Sequence, residues 1–350
     1  MIVSAVQAVG LYSRIQSSTI EMVSQKQPLG FSTTVSEEVC VIELPPLLTV
    51  VEAVAFKDKF QQFMQTESLP PKIALNFGQT TFIDSSGIGA LVLCLKATQS
   101  KKLELVLQNL RSEVLSTLAL ASLDQLFQIE HDALATAPTP TKPTAPLPTH
   151  PSVTSVAKRR IDIVGAIVGL GITALLFVPI AIAIKLDSPG PIFFSQTRCG
   201  LMGRRFQLWK FRSMVTNAEA LKAQVKNQNQ GAFFKNDNDP RITRVGRFLR
   251  KTSLDELPQF WNVLKGEMSL TGTRPPLPDE VDRYDIPNWQ RLDVKPGMTG
   301  EWQVNGRSSV RSFEDVIALD LRYQERWSLR YDLQLIAKTV LVLFRKNNAF

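Results

Sequence analysis

Histidine is almost missing from this chain. His131 and His150 are its two histidines in 350 residues, and both precede residue 154. The second half therefore has no histidine base and no histidine-held metal, and its chemistry falls to carboxylates. Cysteine is nearly as scarce. Cys40, Cys94 and Cys199 are far apart and odd in number. They form neither a disulfide framework nor a zinc spacing, which suits a reducing cytoplasm. Negative charge is short in one half alone. Residues 1–153 carry 10 Lys/Arg against 13 Asp/Glu, whereas residues 154–350 carry 30 against 19. The first half is a near-neutral module. The second should seek anions: nucleic acid, phosphorylated small molecules or an acidic membrane surface. Long apolar runs are also lacking, with one exception. Residues 163–184, "IVGAIVGLGITALLFVPIAIAI", carry no charge over 22 positions. A helix of that length spans a bilayer core of about 30 Å.

Four segments follow from composition. Residues 1–35 are rich in Ser, Gln and Thr, and "MIVSAVQAVGLYSRI" is too weakly apolar for a signal peptide, so a loose tail is expected. Residues 36–135 alternate strand and helix patterns: "EVCVIEL", "VEAVAFKDKFQQFMQ", "KIALNFG", "SSGIGALVLCLKATQ", "LELVLQN" and "RSEVLSTLALASL". That order predicts a small α/β sheet covered by helices. Residues 136–153 hold Pro138, Pro140, Pro143, Pro146, Pro148 and Pro151, which predicts an extended linker. Residues 154–350 begin at "AKRRID" and contain the apolar helix, placed at about 161–185. Its proline, Pro179, should break the helix near Leu175. Near the end, "LQLIAKTVLVLF" carries Lys338 and looks amphipathic rather than spanning.

"FIDSSGIGALV" joins a strand to a helix. On local grounds it is a tight turn with a serine N-cap, in which Gly87 and Gly89 let the helix start close to the sheet. With the element order of 36–135, it resembles a STAS domain of the anti-sigma-factor-antagonist type. The resemblance implies a binding or regulatory role. It also marks Ser85 as a possible phosphorylation site for a partner kinase, at a helix end that welcomes phosphate.

The basic half has several motifs. "FQLWKFRSM" alternates aromatic and basic residues, as a membrane surface or a nucleic-acid face would require. Arg241, Arg244, Arg247 and Arg250 recur every three residues, close to one helical face. "SLDELPQFWN" sets Asp255 beside Glu256 amid these cations. Ser253 and Glu256 fit a capping box, which accounts for one carboxylate. A carboxylate pair near Arg and Lys also suits phosphoryl chemistry. One oxygen attacks phosphorus while the other holds a divalent cation. An aspartate is ionised at neutral pH without tuning.

The segments "TSLDELPQFWNVLKGEMSLTGTRP" and "VKPGMTGEWQVNGR" resemble bacterial sugar transferases of the monotopic polyprenyl-phosphate phosphoglycosyl transferase superfamily. "KFRSM", "DPRITRVGRFLRK" and "YQERWSLRYDLQLIAKTV" follow in the same order, so the likeness covers about 190 residues from "KRRID" onward. It implies an α-rich α+β monotopic membrane domain with a re-entrant, proline-broken helix on the cytoplasmic face of a bacterial inner membrane. It implies that Asp255 attacks the sugar-bearing phosphorus of a UDP-sugar, releasing UMP. Polyprenyl (undecaprenyl) phosphate would then take the sugar phosphate, beginning an exopolysaccharide or related glycan. Glu256 matches a magnesium (Mg2+) ligand and Arg274 a phosphate-gripping arginine. Gln303, Asn305 and Arg307 match nucleotide-side contacts, and Lys158, Arg159 and Asp162 lie near the acceptor headgroup. Two departures stand out. Gly272–Thr273–Arg274–Pro275 replaces the usual G-P-R-P, which implies a looser turn, and Val178–Pro179 replaces Ser-Pro. Expected partners are thus a nucleotide sugar, a lipid phosphate, membrane lipids and a protein partner or kinase of the STAS-like segment, with no nucleic acid. The alternative is a non-enzymatic membrane scaffold regulated through that segment. One apolar segment cannot form a transport path, which disfavours an anion transporter.

Overall fold

The computed structural model describes residues 31–66, 68–130, 150–221, 225, 236, 239–305 and 313–344. The tail before residue 31 and most of the proline-rich linker lie outside the described residues.

The N-terminal unit is a five-stranded sheet of order β1-β2-β4-β6-β7. Its strands are β1 (Thr33–Val35), β2 (Val39–Glu43), β4 (Lys72–Asn76), β6 (Glu104–Gln108) and β7 (Gln128–Glu130). β1 runs antiparallel to β2, and the other neighbours are parallel. A separate parallel pair joins β3 (Leu47–Leu48) to β5 (Phe82–Ile83). Ile73, Ala74 and Leu75 of β4 are all fully buried. A central parallel strand covered on both faces needs such an unbroken apolar run. Helices α1 (Val50–Phe63), α2 (Ser85–Ser100) and α3 (Ser112–Leu120) contribute Phe56, Phe60, Leu91, Val114 and Leu118 to this core.

Two expectations about this unit change. The fold starts earlier than residue 36, because β1 pairs with β2 and Phe31 is already in the core. The cap of α2 is Asp84, whose carboxylate accepts from the Gly87 N–H at 2.9 Å, so Ser85 is the first helical residue. A Cβ on Gly87 would lie 2.5 Å from the Leu48 carbonyl oxygen, which explains the glycine next to the sheet. Gly89 has a different neighbour, described below.

The linker ends in a short helix, α4 (Pro151–Thr154), rather than in extended chain, with Pro151 at its first position. Pro tolerates that position because its missing N–H has no helical partner there. The long helix α5 (Val156–Asp187) follows, 32 residues with Pro179 inside, so the expected break near Leu175 does not interrupt the helix. At about 1.5 Å per residue it is about 48 Å long. It is the one helix among the described residues that is long and apolar enough to cross a membrane. Val164, Val168, Ile172, Leu175, Val178, Ile182 and Leu186 are exposed along it at helical spacing. Its opposite face packs on protein. A Cβ on Gly165 or Gly169 would meet Leu270 or Phe260 at 2.5 or 2.4 Å, so small residues let α5 approach its neighbours. Pro179 supplies no N–H to the Leu175 carbonyl. Thr173 does not replace it, because its hydroxyl donates to Gly169 O at 2.7 Å and reaches Leu257 O at 3.4 Å.

The C-terminal unit is otherwise small pieces held to α5. The hairpin of β8 (Phe193–Cys199) and β9 (Arg205–Phe211) is antiparallel. Helices α6 (Arg244–Thr252) and α7 (Gln259–Lys265) precede β10 (Ser269–Thr271), which pairs in parallel with β11 (Gly297–Thr299). Between these strands lie α8 (Pro278–Val281) and a 3-10 helix, Ile286–Leu292. Three helices complete the unit: α9 (Glu301–Asn305), α10 (Phe313–Glu325) and α11 (Leu329–Phe344).

Within "FQLWKFRSM", Phe206, Leu208, Phe211 and Arg212 are buried, whereas Gln207 is exposed. Arg212 is buried and donates to the carbonyls of Ser188, Pro189 and Ile184 at 2.6, 2.8 and 3.3 Å, closing the C-terminus of α5. A cation suits that end of a helix. The arginine stripe is also interrupted. Arg241 precedes α6, is buried, and forms an ion pair with Asp239 at 2.7 Å.

Candidate active site

Asp255 and Glu256 lie on a one-turn 3-10 helix, Leu254–Glu256, between α6 and α7. Ser253 sits in the left-handed region, φ 57°, and ends α6 without a side-chain cap. The expected capping box is therefore absent, and the Glu256 carboxylate is directed elsewhere. Leu254 and Leu257 pack against Ile180 and Ile184 of α5 and Phe211 of β9. These anchors turn Asp255 inward, where it is 6% exposed.

Lys210, on β9, bridges the pair. Its Nζ lies 2.8 Å from Glu256 Oε1 and 4.0 Å from Asp255 Oδ2. Asn262 of α7 holds that strand by accepting from Trp209 N at 3.2 Å and donating to Gln207 O at 2.7 Å. Burial lifts Asp255 above the ordinary carboxylate range; Lys210 opposes this and the Glu256 charge adds to it. The aspartate is thus shifted from its ordinary value by its burial rather than left untuned.

Arg198, on β8, donates to Pro275 O at 2.9 Å and to Gln196 Oε1 at 2.8 Å. Its buried Nε has no hydrogen-bond partner among the described residues. Burial, then the charge of Arg274, push Arg198 down to about 10, while Glu280 and Glu256 oppose. Arg274 pairs with Glu280 at 2.9 Å. Burial alone would raise the Glu280 carboxyl, but Arg274 outweighs it and holds that carboxyl below its usual range. Thus Asp255, Glu256, Lys210, Arg198 and Arg274 form one electrostatic neighbourhood.

The turn carrying Arg274 is tied down despite lacking the first proline. Thr273 is 1% exposed and donates from Oγ1 to Arg291 O at 3.3 Å. Its carbonyl accepts from Gly297 N at 2.8 Å. A Cβ on Gly272 would lie 2.2 Å from Lys295 O, so the close pairing of this turn with β11 requires glycine. Arg291, fully buried, donates from Nη2 to Arg274 O at 3.2 Å and also bonds Tyr284 and Asp320.

The other expected site residues divide. Gln303 and Asn305 lie on α9, just after β11, while Arg274 follows β10; the parallel pairing puts both segments at the same end. Gln303 Oε1 is buried without a partner among the described residues, and Asn305 is exposed. Arg307 lies outside the described residues. Lys158 is buried and pairs with Asp332 at 2.6 Å, also donating to Thr271 O at 3.0 Å. Asp162 is buried and accepts from Ser269 Oγ and Leu270 N, both at 2.9 Å. Arg159 donates to the Val263 and Leu264 carbonyls at 2.7 and 2.6 Å. This trio is engaged inside the protein, where it fixes the start of α5 to β10 and α7. Lys210 and Arg198 were not singled out from sequence. Lys210 was visible within "KFRSM", but nothing in the sequence tied it to the carboxylates rather than to a surface.

A buried carboxylate beside a second carboxylate and one lysine, with Arg198 and Arg274 linked to them through Glu256 and Glu280, suits a polyanionic substrate. Comparison with known proteins supports this direction. Residues 153–346 match the model of the bacterial sugar transferase family, more than half of the chain. The chain belongs to the bacterial sugar transferase family. Residues 31–137 match the STAS domain model, so this family member carries a STAS domain ahead of its transferase domain. Galactosyl transferase CpsE of Streptococcus agalactiae is 49% identical over 193 residues, covering 54% of this chain and 42% of that protein. Undecaprenyl-phosphate galactose phosphotransferase of Salmonella typhimurium is 44% identical over 199 residues, covering 55% of this chain and 41% of that one. Exopolysaccharide production protein ExoY of Rhizobium meliloti is 38% identical over 194 residues, covering 54% of this chain and 85% of that one. The chain thus spans about two fifths of the first two relatives, which at 42% and 41% are longer proteins.

Proposed function

We propose that the protein transfers a sugar phosphate from a UDP-sugar to a polyprenyl phosphate through a covalent aspartyl intermediate. The observation that carries this reading is Asp255: buried beside Glu256 and Lys210, with the charge of Arg250 also acting on it and Arg198 linked electrostatically to Arg274 and Glu256. An Asp255 oxygen attacks the phosphorus that bears the sugar. The bond from that phosphorus to the bridging oxygen breaks, and UMP leaves with that oxygen. The sugar phosphate is then held on Asp255 as an acyl phosphate. A phosphate oxygen of the lipid attacks the same phosphorus, the bond to Asp255 breaks, and the carboxylate is restored. Two displacements at one carboxylate need no histidine, which agrees with its absence after residue 150. Lys210, Arg198 and Arg274 offset the charge that gathers on the phosphoryl oxygens. Relatives named for undecaprenyl phosphate and galactose support this substrate class.

Magnesium fits this donor set in a limited way. Among the described residues no group of three or more His, Cys, Asp or Glu side chains could hold a metal alone. Glu256, 34% exposed at its side chain, offers a carboxylate at the rim. Magnesium commonly takes one or two carboxylates together with substrate phosphates, and Glu256 would be that protein ligand. When bound, the ion supplies charge neutralisation on the diphosphate.

The exposed face of α5 supports attachment to a membrane, and we place the chain on the cytoplasmic face of the inner membrane, where nucleotide sugars are made. The re-entrant path through Pro179 belongs to this reading. The decisive assay is UMP release across a panel of UDP-sugars with undecaprenyl phosphate and magnesium. Turnover of one sugar supports the reading, and no release from any of them contradicts it.

A further inference from the structure

The STAS domain and the transferase domain share one hydrophobic core. It continues from the STAS helices into Cys199, Met202, Val281, Tyr284, Ile286, Trp289 and Leu292. Trp289 is the centre of the contact. A Cβ on Gly89 of α2 would lie 2.7 Å from its ring, and one on Gly203, at the β8–β9 turn, 3.1 Å from it. The indole is therefore held between a glycine of each domain. Ser85 is fully buried in the same contact. Its hydroxyl donates to Trp289 O at 2.6 Å, and its backbone N–H donates to Asp293 Oδ1 at 3.1 Å. Two ion pairs flank the seam, Lys57 with Asp285 at 3.3 Å and Lys96 with Asp282 at 2.6 Å. Both are partly exposed, so they set register more than strength.

The transferase side of the contact is also the back of the candidate active site. Two residues after Trp289, Arg291 turns the other way and holds the Arg274 carbonyl, while its own carbonyl anchors Thr273. The β8–β9 hairpin, whose turn also packs on α2, carries Arg198 and Lys210. A displacement of Trp289 is thus passed within a few residues to three cations of the site.

We infer that the STAS domain braces the transferase site in cis, and that the docked state and any group added to the Ser85 oxygen exclude one another. The inference rests on the proposed transferase reading for its effect on turnover, but not for the docking. Ser85 has no space for an added group, because its oxygen is within hydrogen-bond distance of a carbonyl and fully covered. An anion there would also be buried beside the acidic side chains of Asp84 and Asp293. Asp293 occupies the N-terminus of α2, and Asp84 is pushed up to about 7 by burial and by the charge of Asp293. The helix end expected to welcome phosphate is already filled by Asp293 in the docked state. Modification of Ser85 therefore requires separation, and separation removes the support of Trp289. Arg291 and Trp289 act as positioning residues in this device.

The test uses the full chain in detergent or nanodiscs, with hydrogen exchange of the peptide spanning 284–293 as a readout that needs no substrate. Ser85→Glu should raise exchange there roughly tenfold or more by opening the contact locally. Gly89→Leu should do the same by a different route, displacing the indole while leaving Ser85 intact. Ser85→Ala should stay docked. In the UMP-release assay both opened variants should show a KM for the UDP-sugar raised roughly tenfold with a smaller change in kcat, since phosphate binding is what Arg274 provides. Wild-type exchange in both Ser85→Glu and Gly89→Leu would overturn the docking. Faster exchange with unchanged KM would overturn the brace. A wild type that releases no UMP would count against the transferase reading, while exchange still decides whether the domains dock.

Discussion

In the proposed mechanism Asp255 must be ionised to attack, and burial raises its carboxyl above the ordinary value of about 3.9. The acid limb of kcat/KM, which reports the free enzyme, should therefore lie above that value. Its neighbours fix the sign of each change. Lys210 opposes the rise, so Lys210→Met should move the limb to higher pH. Glu256 adds to the rise, so Glu256→Gln should move it lower, with a reduced plateau and weaker dependence on magnesium. A pH–rate series on the three proteins checks this, and limbs that coincide would remove Asp255 as the titrating group. At this scale the sequence was informative in part. Basic company and family resemblance put forward the Asp255–Glu256 pair and Arg274. Lys210 and Arg198 were not, since pairing of a hairpin with a distant turn leaves no local spacing to read. The supposed capping box failed for a related reason. Ser253 takes a left-handed conformation that ends one helix, so its side chain never reaches the next.

Elements hold this site through buried polar ties at the start of α5. Lys158 and Asp332 pair with side chains 7% and 4% exposed. Lys158→Met would leave Asp332 with an uncompensated buried charge, at a cost of ~3–5 kcal/mol. Thermal unfolding in detergent should show the loss, and an unchanged midpoint would indicate that the pair is not buried in solution. Gly169→Ala crowds the Phe260 ring, where a Cβ would sit at 2.4 Å. Overpacking of that kind costs ~1–3 kcal/mol and should appear in the same measurement. The longer elements of the STAS domain were visible beforehand because their apolar residues alternate, as in β2, run unbroken, as in β4 and β6, or fill a stretch of helical length, as in α1–α3. The pair β3–β5 and the strand β7 were not. Strands of two or three residues carry no period, and tertiary pairing alone defines them. The alternation of "FQLWKFRSM" does not by itself separate a membrane surface from a strand that packs Phe206, Leu208 and Phe211 inside its own domain.

At the scale of the whole molecule, a STAS domain and a transferase domain share a core, and one long helix presents an apolar face. The linker composition announced two domains, but not that they would dock, because an interface between domains looks like any other buried surface in sequence. The proposed re-entrant path makes both ends of α5 cytoplasmic. Single cysteines placed before Lys158 and after Asp187 should then be labelled from the same side of inner-membrane vesicles, once the native cysteines are replaced. Labelling from opposite sides would establish a spanning helix instead. The central claim is the covalent role of Asp255, and intact-mass analysis addresses it most directly. Wild-type protein incubated with its UDP-sugar and magnesium, without lipid acceptor, should release UMP and gain the mass of one sugar phosphate. Peptide mapping should place that mass on Asp255, and Asp255→Asn should gain nothing and turn over nothing. An unmodified wild-type protein that still turns over when acceptor is supplied, or an Asp255→Asn variant with near wild-type activity, would contradict the account.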